Sequence, residues 1–348
     1  MKLIVQIPCL NEEKTLPLVV NSIPKYIDGI DAIEILIIDD GSTDNTLSVA
    51  KKLGVQHVVR HTKNKGLAIS FADGIHYALE VGADIIVNTD ADNQYPQKDI
   101  PRLIQPILNN QAEIVIADRQ TAKIRHFSPL KKFLQKVGSG MVRKLSGTSV
   151  PDAVSGFRAY SRQAALELNI VTDFSYVIET IIQAQYKRIA IASIPIETNP
   201  PTRKSRLFKN MFQHIRQSTA TMIRIYTMYR TLTVFMIVGF SICAIGSLFA
   251  LRFLYFFVLG EGAGHIQSLI FSAILITVGF QVMMTGLIGD IIGINRKLLE
   301  NMLRRVKNIE LLHYKKPRVR AQRKNNGNGT KLPSYRDSKL QRHYTMQL

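Results

Sequence analysis

Asp84-Ile85-Ile86-Val87-Asn88-Thr89-Asp90-Ala91-Asp92-Asn93-Gln94 is the stretch on which the reading of this chain turns. Its short apolar run reads as a buried parallel strand. The run ends in two carboxylates one residue apart. Open α/β sheets bind ligands beyond the carboxyl ends of their strands, so carboxylates placed there lie where a ligand would sit. Oxygen donors at that spacing suit Mg2+ or Mn2+ bridged to substrate phosphates. A water-exposed acidic loop is the plainer reading of a lone Asp-x-Asp, and the rest of the chain has to decide between the two.

Outward from this stretch, apolar strands alternate with helical patterns. Strands are predicted at 2–7, 33–38, 57–60, 84–89, 113–117 and 189–195. Helices are predicted near 12–26, 43–53, 66–81, 99–108 and 174–186. Such alternation argues for a parallel sheet flanked by helices. No internal repeat interrupts it.

At 348 residues the chain can hold one full domain plus further elements. A formal charge of +19 implies an anionic partner, whether nucleic acid, anionic lipid or a phosphorylated substrate. Cys9 and Cys243 lie in very different segments, so no disulfide is expected. The apolar start at 3–7 is too short for a signal peptide and Asn11-Glu12-Glu13 follows at once, which predicts a cytosolic N-terminal part.

Two segments, 231–251 and 266–289, contain no charged residue. Each is long enough to cross a hydrocarbon core of about 30 Å at 1.5 Å per residue. Joined through Gly260-Glu261-Gly262-Ala263-Gly264, they read as a transmembrane hairpin. Arg216, Arg224 and Arg230 precede it, and Arg296, Lys297, Arg304 and Arg305 follow it. The connecting loop has no Lys or Arg, so the positive-inside bias places both termini in the cytoplasm. Arg252 falls near the far interface, where it can snorkel.

The segment 203–230 carries Leu207, Phe208, Met211, Phe212, Ile215, Met222, Ile223 and Tyr226 at helical spacing among arginines and a lysine. A basic amphipathic stretch before a span reads as interfacial helices. The predicted organisation is therefore a catalytic domain at 1–202, interfacial helices at 203–230, and transmembrane helices at 231–258 and 266–292. A cytosolic helix at 293–314 and a basic disordered tail at 315–348 complete it. The tail holds ten Lys/Arg against Asp337 alone, which suits anionic membrane lipid. Nucleic acid is excluded as the expected partner because no recognised binding module is present.

Four motifs fall at predicted strand ends in the first 200 residues. Pro8-Cys9-Leu10-Asn11-Glu12-Glu13 offers Asn11 as a helix cap, or a wall for a nucleotide with Glu12 near a ribose. In Ile37-Ile38-Asp39-Asp40-Gly41-Ser42-Thr43-Asp44, Ser42 or Thr43 can cap a helix and Gly41 permits a tight turn. Capping does not need both Asp39 and Asp40, which base or ribose recognition could use. Asn64-Lys65-Gly66-Leu67-Ala68 turns into a helix, and the Asp90/Asp92 pair has Gln94 as a further oxygen donor. No G-x-G-x-x-G follows the first strand and no G-x-x-x-x-G-K-[ST] occurs, so a glycine cradle for phosphates is absent.

Pro8–Glu13, Asp39–Asp44, Asp90-Ala91-Asp92 with Gln94, and Asp152-Ala153-Val154-Ser155-Gly156-Phe157-Arg158 together resemble the inverting GT-A glycosyltransferases of family 2. The likeness is strongest to membrane-anchored polyprenyl-phosphate sugar transferases of the dolichyl-phosphate mannosyltransferase type, and covers about residues 1–206. The resemblance implies an α/β fold, a GT-A Rossmann-like mostly parallel sheet flanked by helices, followed by interfacial helices and a two-helix transmembrane hairpin. It implies that Pro8, Leu10, Glu12, Ile38 and Asp40 line the nucleotide, that Asp90 and Ala91 contact the donor, and that Asp90, Asp92 and Gln94 hold Mg2+ or Mn2+. Arg119 matches an arginine that meets phosphate, and Asp152 matches a base-position carboxylate, although after Pro151 it could equally be a turn residue. Asp92, Asp152 and Arg119 are thus the catalytic candidates. In Thr202-Arg203-Lys204-Ser205-Arg206, Arg206 stands where relatives have Lys, so Arg203, Ser205 and Arg206 are expected with Arg119 on the acceptor phosphate.

The resemblance implies transfer of a hexose from GDP-mannose or UDP-glucose to a polyprenyl or dolichyl phosphate. Ser155-Gly156-Phe157-Arg158 leans towards mannosyl-type relatives and leaves glucosyl transfer open. Arg158 could hold an acidic partner in the core or face acceptor phosphate. The basic stretch from Arg125 to Lys144 reads as a solvated helix face or as a receiver for lipid phosphate. A processive polysaccharide synthase of the same fold is disfavoured, because its usual Gln-x-x-Arg-Trp motif needs a Trp and this chain has none. A non-catalytic nucleotide-sugar-binding membrane tether and a homo-oligomer both stay open.

Overall fold

The computed structural model describes residues 1–121, 150–171, 176–200 and 226–315, with 140, 143, 147, 219, 220, 223 and 224. The chain divides into two compact units, Met1–Asn210 with Arg305–Leu348, and Met211–Arg304. The expected interfacial segment at 203–230 and the tail from 316 lie mostly or wholly outside the described residues.

The first unit is built on a seven-stranded sheet. Its strands are β1 (Lys2–Cys9), β2 (Ala32–Asp39), β3 (His57–Arg60), β4 (Ile85–Asn88), β5 (Ile114–Asp118), β6 (Arg158–Ser161) and β7 (Ile191–Pro195), in the order β3-β2-β1-β4-β6-β5-β7. All six predicted strands are present. β1 pairs in parallel with both β2 and β4, while β6 runs antiparallel between β4 and β5. The sheet is therefore mixed, and β6 is the strand that sequence patterning missed. Its four residues start with Arg158, whose charge hides the apolar signal although the side chain is fully buried.

Helices α1 (Leu16–Ser22), α2 (Thr46–Lys52), α3 (Leu67–Glu80), α4 (Ile100–Leu108), α5 (Arg162–Glu167) and α6 (Tyr176–Tyr186) accompany the sheet. Leu16, Val19, Leu103, Ile104 and Ile107 of α1 and α4 pack with Leu3, Val5, Ile7, Ile85 and Val87 in one core. Phe71 of α3 stacks on Tyr176 of α6 at 3.9 Å between ring centroids. The short α5 was also missed; Ser161 caps it, its Oγ accepting from Ala164 N–H at 3.1 Å. Residues from Arg305 belong to this unit as well, where Lys307 Nζ donates to Asn169 Oδ1 at 2.8 Å and Leu311 is buried.

Arg158 settles the choice left open above. Its guanidinium donates to the carbonyls of Ser155 at 2.7 Å, Val177 at 2.8 Å and Ala153 at 3.0 Å, and to Thr180 Oγ1 at 2.7 Å. It takes part in no salt bridge among the described residues and meets neither expected partner. A buried charge survives where every donor is satisfied by polar partners.

The second unit holds α7 (Thr231–Val258) and α8 (Ile266–Lys315) as far as Arg304, two helices long and apolar enough to cross a membrane. Only 11% and 17% of their most apolar windows are buried within the chain, unlike core helices. Gly239 of α7 and Gly279 of α8 face each other: a Cβ on Gly279 would lie 2.7 Å from Gly239 O. Small residues at a helix contact allow backbones this close, as membrane helix pairs require. The span expected at 266–292 and the helix expected at 293–314 are one continuous helix of 50 residues.

Arg158→Met keeps the apolar stem but takes the guanidinium from the buried carbonyls of Ala153 and Ser155. Each unsatisfied group costs about 1–3 kcal/mol, so calorimetry on the purified chain is expected to show Tm lowered by roughly 5 °C or more. An unchanged Tm would remove Arg158 as a structural clamp.

Candidate active site

The carboxyl ends of β1, β2, β4 and β5 share one edge of the sheet. At that edge the first two motifs interlock. Asn11, with φ 56°, accepts through Oδ1 from the N–H groups of Thr43 at 2.8 Å and Asp44 at 3.3 Å, and its own N–H donates to Ser42 Oγ at 2.9 Å. It bridges two loops rather than capping α1, which begins at Leu16. Glu12 N–H donates to Thr46 Oγ1 at 2.8 Å, and its carboxylate accepts from the Thr15 hydroxyl at 2.7 Å. Ile38 is buried in β2, and Pro8 and Leu10 are half-buried beside it.

Asp39 and Asp40 differ in role although adjacent. Asp39 is fully buried; Oδ1 accepts from Ser42 N–H at 3.0 Å, and Arg60 Nε lies 3.4 Å from Oδ2. Asp40 is held by three donors: His61 Nδ1 at 2.7 Å, Lys65 N–H at 2.8 Å and Gly66 N–H at 2.9 Å. Burial pushes its carboxyl up, but these hydrogen bonds and the His61 charge outweigh that and hold it below the ordinary carboxylate value. Gly41, at φ 78°, is required here: a Cβ would meet the Lys63 backbone at 2.8 Å.

Beyond β4, Asp90 and Asp92 are half-buried and Ala91 is buried. Gln94 donates to Asp92 twice, from its backbone N–H to Oδ1 at 3.1 Å and from Nε2 to Oδ2 at 2.8 Å. In this arrangement Gln94 orients Asp92. On the other side, Gly156 lies against Asp90: a Cβ there would sit 3.3 Å from both carboxylate oxygens and 3.1 Å from the Tyr176 hydroxyl. The Gly156 peptide is fixed by Tyr95, whose hydroxyl accepts its N–H at 2.9 Å, and by Asn88, whose Nδ2 donates to its carbonyl at 2.8 Å.

At the β5 end, Arg119 and Asp152 form a bidentate pair, Nε to Oδ2 at 2.6 Å and Nη2 to Oδ1 at 2.9 Å, with Arg119 N–H donating to Oδ2 at 3.3 Å. Asp152 is 4% exposed and Arg119 14% on their side chains. Burial raises the Asp152 carboxyl, but the Arg119 charge and hydrogen bonds overcome it and hold the group below its ordinary value. Burial likewise opposes the Arg119 charge, and nearby Tyr95, Asp152 and Asp90 outweigh it. Asp152 is therefore the bidentate partner of Arg119, with both of its oxygens occupied.

Among the described residues no group of three or more His, Cys, Asp or Glu converges to hold a metal. Two carboxylates on one turn nevertheless fit a hard divalent ion, since Mg2+ commonly uses one or two carboxylates and completes its shell with water and substrate phosphate. Arg203, Ser205 and Arg206 lie outside the described residues, as does most of the basic stretch from 125 to 144. Sequence reading missed His61, Asn88, Tyr95 and Tyr176. An Asn within an apolar run at 88 was the available signal; the others look like ordinary helix, loop or strand-end residues.

The family model described as glycosyl transferase family 2 matches residues 4–168. The UDP-N-acetylglucosamine--dolichyl-phosphate N-acetylglucosaminyltransferase of Methanococcus voltae is 32% identical over 216 residues, 55% of this chain and 83% of that protein. The dolichol-phosphate mannosyltransferase of Pyrococcus furiosus is 30% identical over 226 residues, covering 62% of each. The Haloferax volcanii protein named Glycosyltransferase AglJ is 27% identical over 310 residues, 87% of this chain and 96% of that one.

The Arg119–Asp152 pair makes an acid-stability signature. With its folded value depressed, Asp152 contributes stability that is complete above the ordinary carboxyl pKa of about 4 and is lost as pH falls through the lower folded value. Asp152→Asn strands a buried guanidinium and is expected to cost about 3–5 kcal/mol at pH 7, while flattening the acid limb of an unfolding curve measured from pH 7 to 2. An acid limb identical to wild type would show that the pair does not hold the edge together.

Proposed function

We propose that this chain, which belongs to glycosyl transferase family 2, transfers a hexose from a nucleotide sugar to a polyprenyl phosphate at a membrane surface. The observation that carries this reading is the Asp90/Asp92 pair at the end of β4, on the same edge as Arg119 and the interlocked β1 and β2 ends. The relatives named as dolichyl-phosphate sugar transferases support the general reaction, and α7 and α8 supply the membrane anchor such a lipid acceptor calls for. GDP-mannose and UDP-glucose remain the two candidate donors.

Charge dictates the division of labour. The nucleoside diphosphate gains negative charge as the glycosyl bond breaks. Mg2+ or Mn2+, held by Asp90 and Asp92, would offset that charge when bound. Gln94 keeps the Asp92 carboxylate turned for this role, and the Gly156 peptide limits where Asp90 can point. Arg119 keeps a permanent charge beside Asp90, and Asp152 aligns its planar fork. The acceptor phosphate is already anionic at neutral pH, so attack with inversion needs no strong base; Asp152 acts as an aligning group. Glu12 and Asp40 would frame the nucleoside. Arg203, Ser205 and Arg206, which sit just before the anchor in sequence, would receive the lipid phosphate together with Arg119.

Asp92→Asn is expected to lower transfer of radiolabelled hexose into polyprenyl phosphate by roughly 10²-fold or more. A chelator should abolish wild-type transfer, with Mn2+ or Mg2+ restoring it. Full activity in chelator would sink the metal assignment, and no transfer from either donor under any metal would sink the reaction.

Lys and Arg flank the outer ends of the hairpin and spare its connecting loop, so we place both termini in the cytoplasm. In a background lacking Cys243, a cysteine at Ala263 should react with an impermeant reagent from outside intact cells, and one at Ser338 only after permeabilisation. The opposite labelling pattern would refute this orientation.

A further inference from the structure

We infer that His61 is a positioning residue for the nucleotide: as a doubly protonated imidazolium between Asp40 and Asp73, it pins the loop 61–66 against the end of β2 and so shapes the nucleoside side of the site. The inference rests on the reading of Asp40 as a nucleotide-lining residue.

The geometry assigns the protons. His61 is 4% exposed. Its Nδ1 lies 2.7 Å from Asp40 Oδ1 and its Nε2 lies 3.0 Å from Asp73 Oδ2. Ionised carboxylates only accept, so a ring nitrogen facing each of them must donate, and both nitrogens can donate only in the charged ring. Its own N–H donates to Asp39 O at 2.8 Å, fastening the residue to β2 through the main chain as well.

The surrounding charges agree with this. Just after β2, Asp40 faces the ring; from α3, Asp73 does. Arg60 at the end of β3 turns to Asp39 at 3.4 Å, and Lys65 in the loop reaches Asp73 at 3.8 Å. Hydrogen bonds donated to Asp40 and Asp73 raise the His61 pKa to about 9, against the opposing effects of burial and Lys65. At neutral pH the ring is charged. Once it loses a proton, Asp40 and Asp73 face each other across a neutral ring that can donate to only one of them.

The consequence reaches substrate through Asp40 and the loop. Asp40 takes the backbone N–H groups of Lys65 and Gly66 with its two oxygens while His61 holds the first of them. The carboxylate is thus one corner of a frame whose other corners are the turn into α3 and the close approach of Gly41 to Lys63. Loss of the imidazolium frees Asp40 to rotate and adds uncompensated negative charge beside an anionic nucleotide. The sign is definite: a His whose folded value is raised contributes fully below its ordinary value of about 6.5 and loses its contribution as pH rises through about 9.

The test uses the full chain in lipid nanodiscs with UDP and GDP as separate calorimetric probes from pH 7 to 10, and transfer kinetics alongside. For the nucleotide that binds, wild-type affinity is expected to fall by about tenfold between pH 8 and 10, with donor KM rising more than kcat falls. His61→Gln should bind about tenfold more weakly at pH 7.5 and lose that pH dependence. Asp73→Asn alters a partly exposed group and keeps the imidazole, so it serves where His61→Gln fails to fold. It should move the same limb to lower pH, matched by a lower His61 titration midpoint in NMR of histidine-labelled protein. Identical pH profiles in wild type and Asp73→Asn, or a His61 ring that titrates near its ordinary value, would overturn the role. Failure of both UDP and GDP to bind wild type at pH 7.5 would overturn the donor reading and this role with it. Normal binding with no response to either variant would overturn this role alone.

Discussion

A guanidinium buried without a carboxylate beside it holds this fold together at its working edge. Arg158 opens β6, the antiparallel strand wedged between β4 and β5, and its donors reach back to the carbonyls of Ala153 and Ser155 and across to Val177 and Thr180 of α6. Taking a charge from water is costly, so the protein must give every donor a partner. In doing so it clamps the loop that carries Asp152 and Gly156. Arg119 is then aligned by Asp152, and the space beside Asp90 is set by Gly156. Three candidate site residues on three elements thus inherit their positions from one cation.

The edge also sorts charge. At the end of β2, Asp39, Asp40 and Asp73 are balanced by Arg60, His61 and Lys65. At the other end Arg119 forms a bidentate pair with Asp152, within reach of the Asp90 charge. Asp39, Asp40 and Asp152 are held by hydrogen bonds that fix loop geometry, and Gln94 holds Asp92 in the same way. The chain as a whole carries +19, so the acidic edge is a local feature set within a cationic molecule.

Much of this was legible beforehand. The period of apolar residues located six strands and the main helices of the first unit, and the two long uncharged runs located α7 and α8. The Asp90/Asp92 pair could be placed at a strand end because a strand ending in carboxylates needs no knowledge of its neighbours. β6 and Arg158 could not, because a fully buried arginine violates the burial rule on which patterning depends. His61 escaped for the same reason: a lone histidine after a strand carries no mark of the two carboxylates that meet it, one 21 residues before it and one 12 after.

The sequence by itself determined the strand and helix periods, the family motifs, the excess of cation and the apolar length of the hairpin, because each is a local property of consecutive residues. Only the tertiary structure decided which charges meet. Asp152 closes on Arg119 across 33 positions of chain, Asn88 on Gly156 across 68, and Asn11 on Thr43 across 32. Whether a carboxylate titrates, aligns a neighbour or waits for a cation depends on those distant partners, since desolvation and Coulombic energy are set by what lies within a few ångströms in space and not by what is adjacent in sequence.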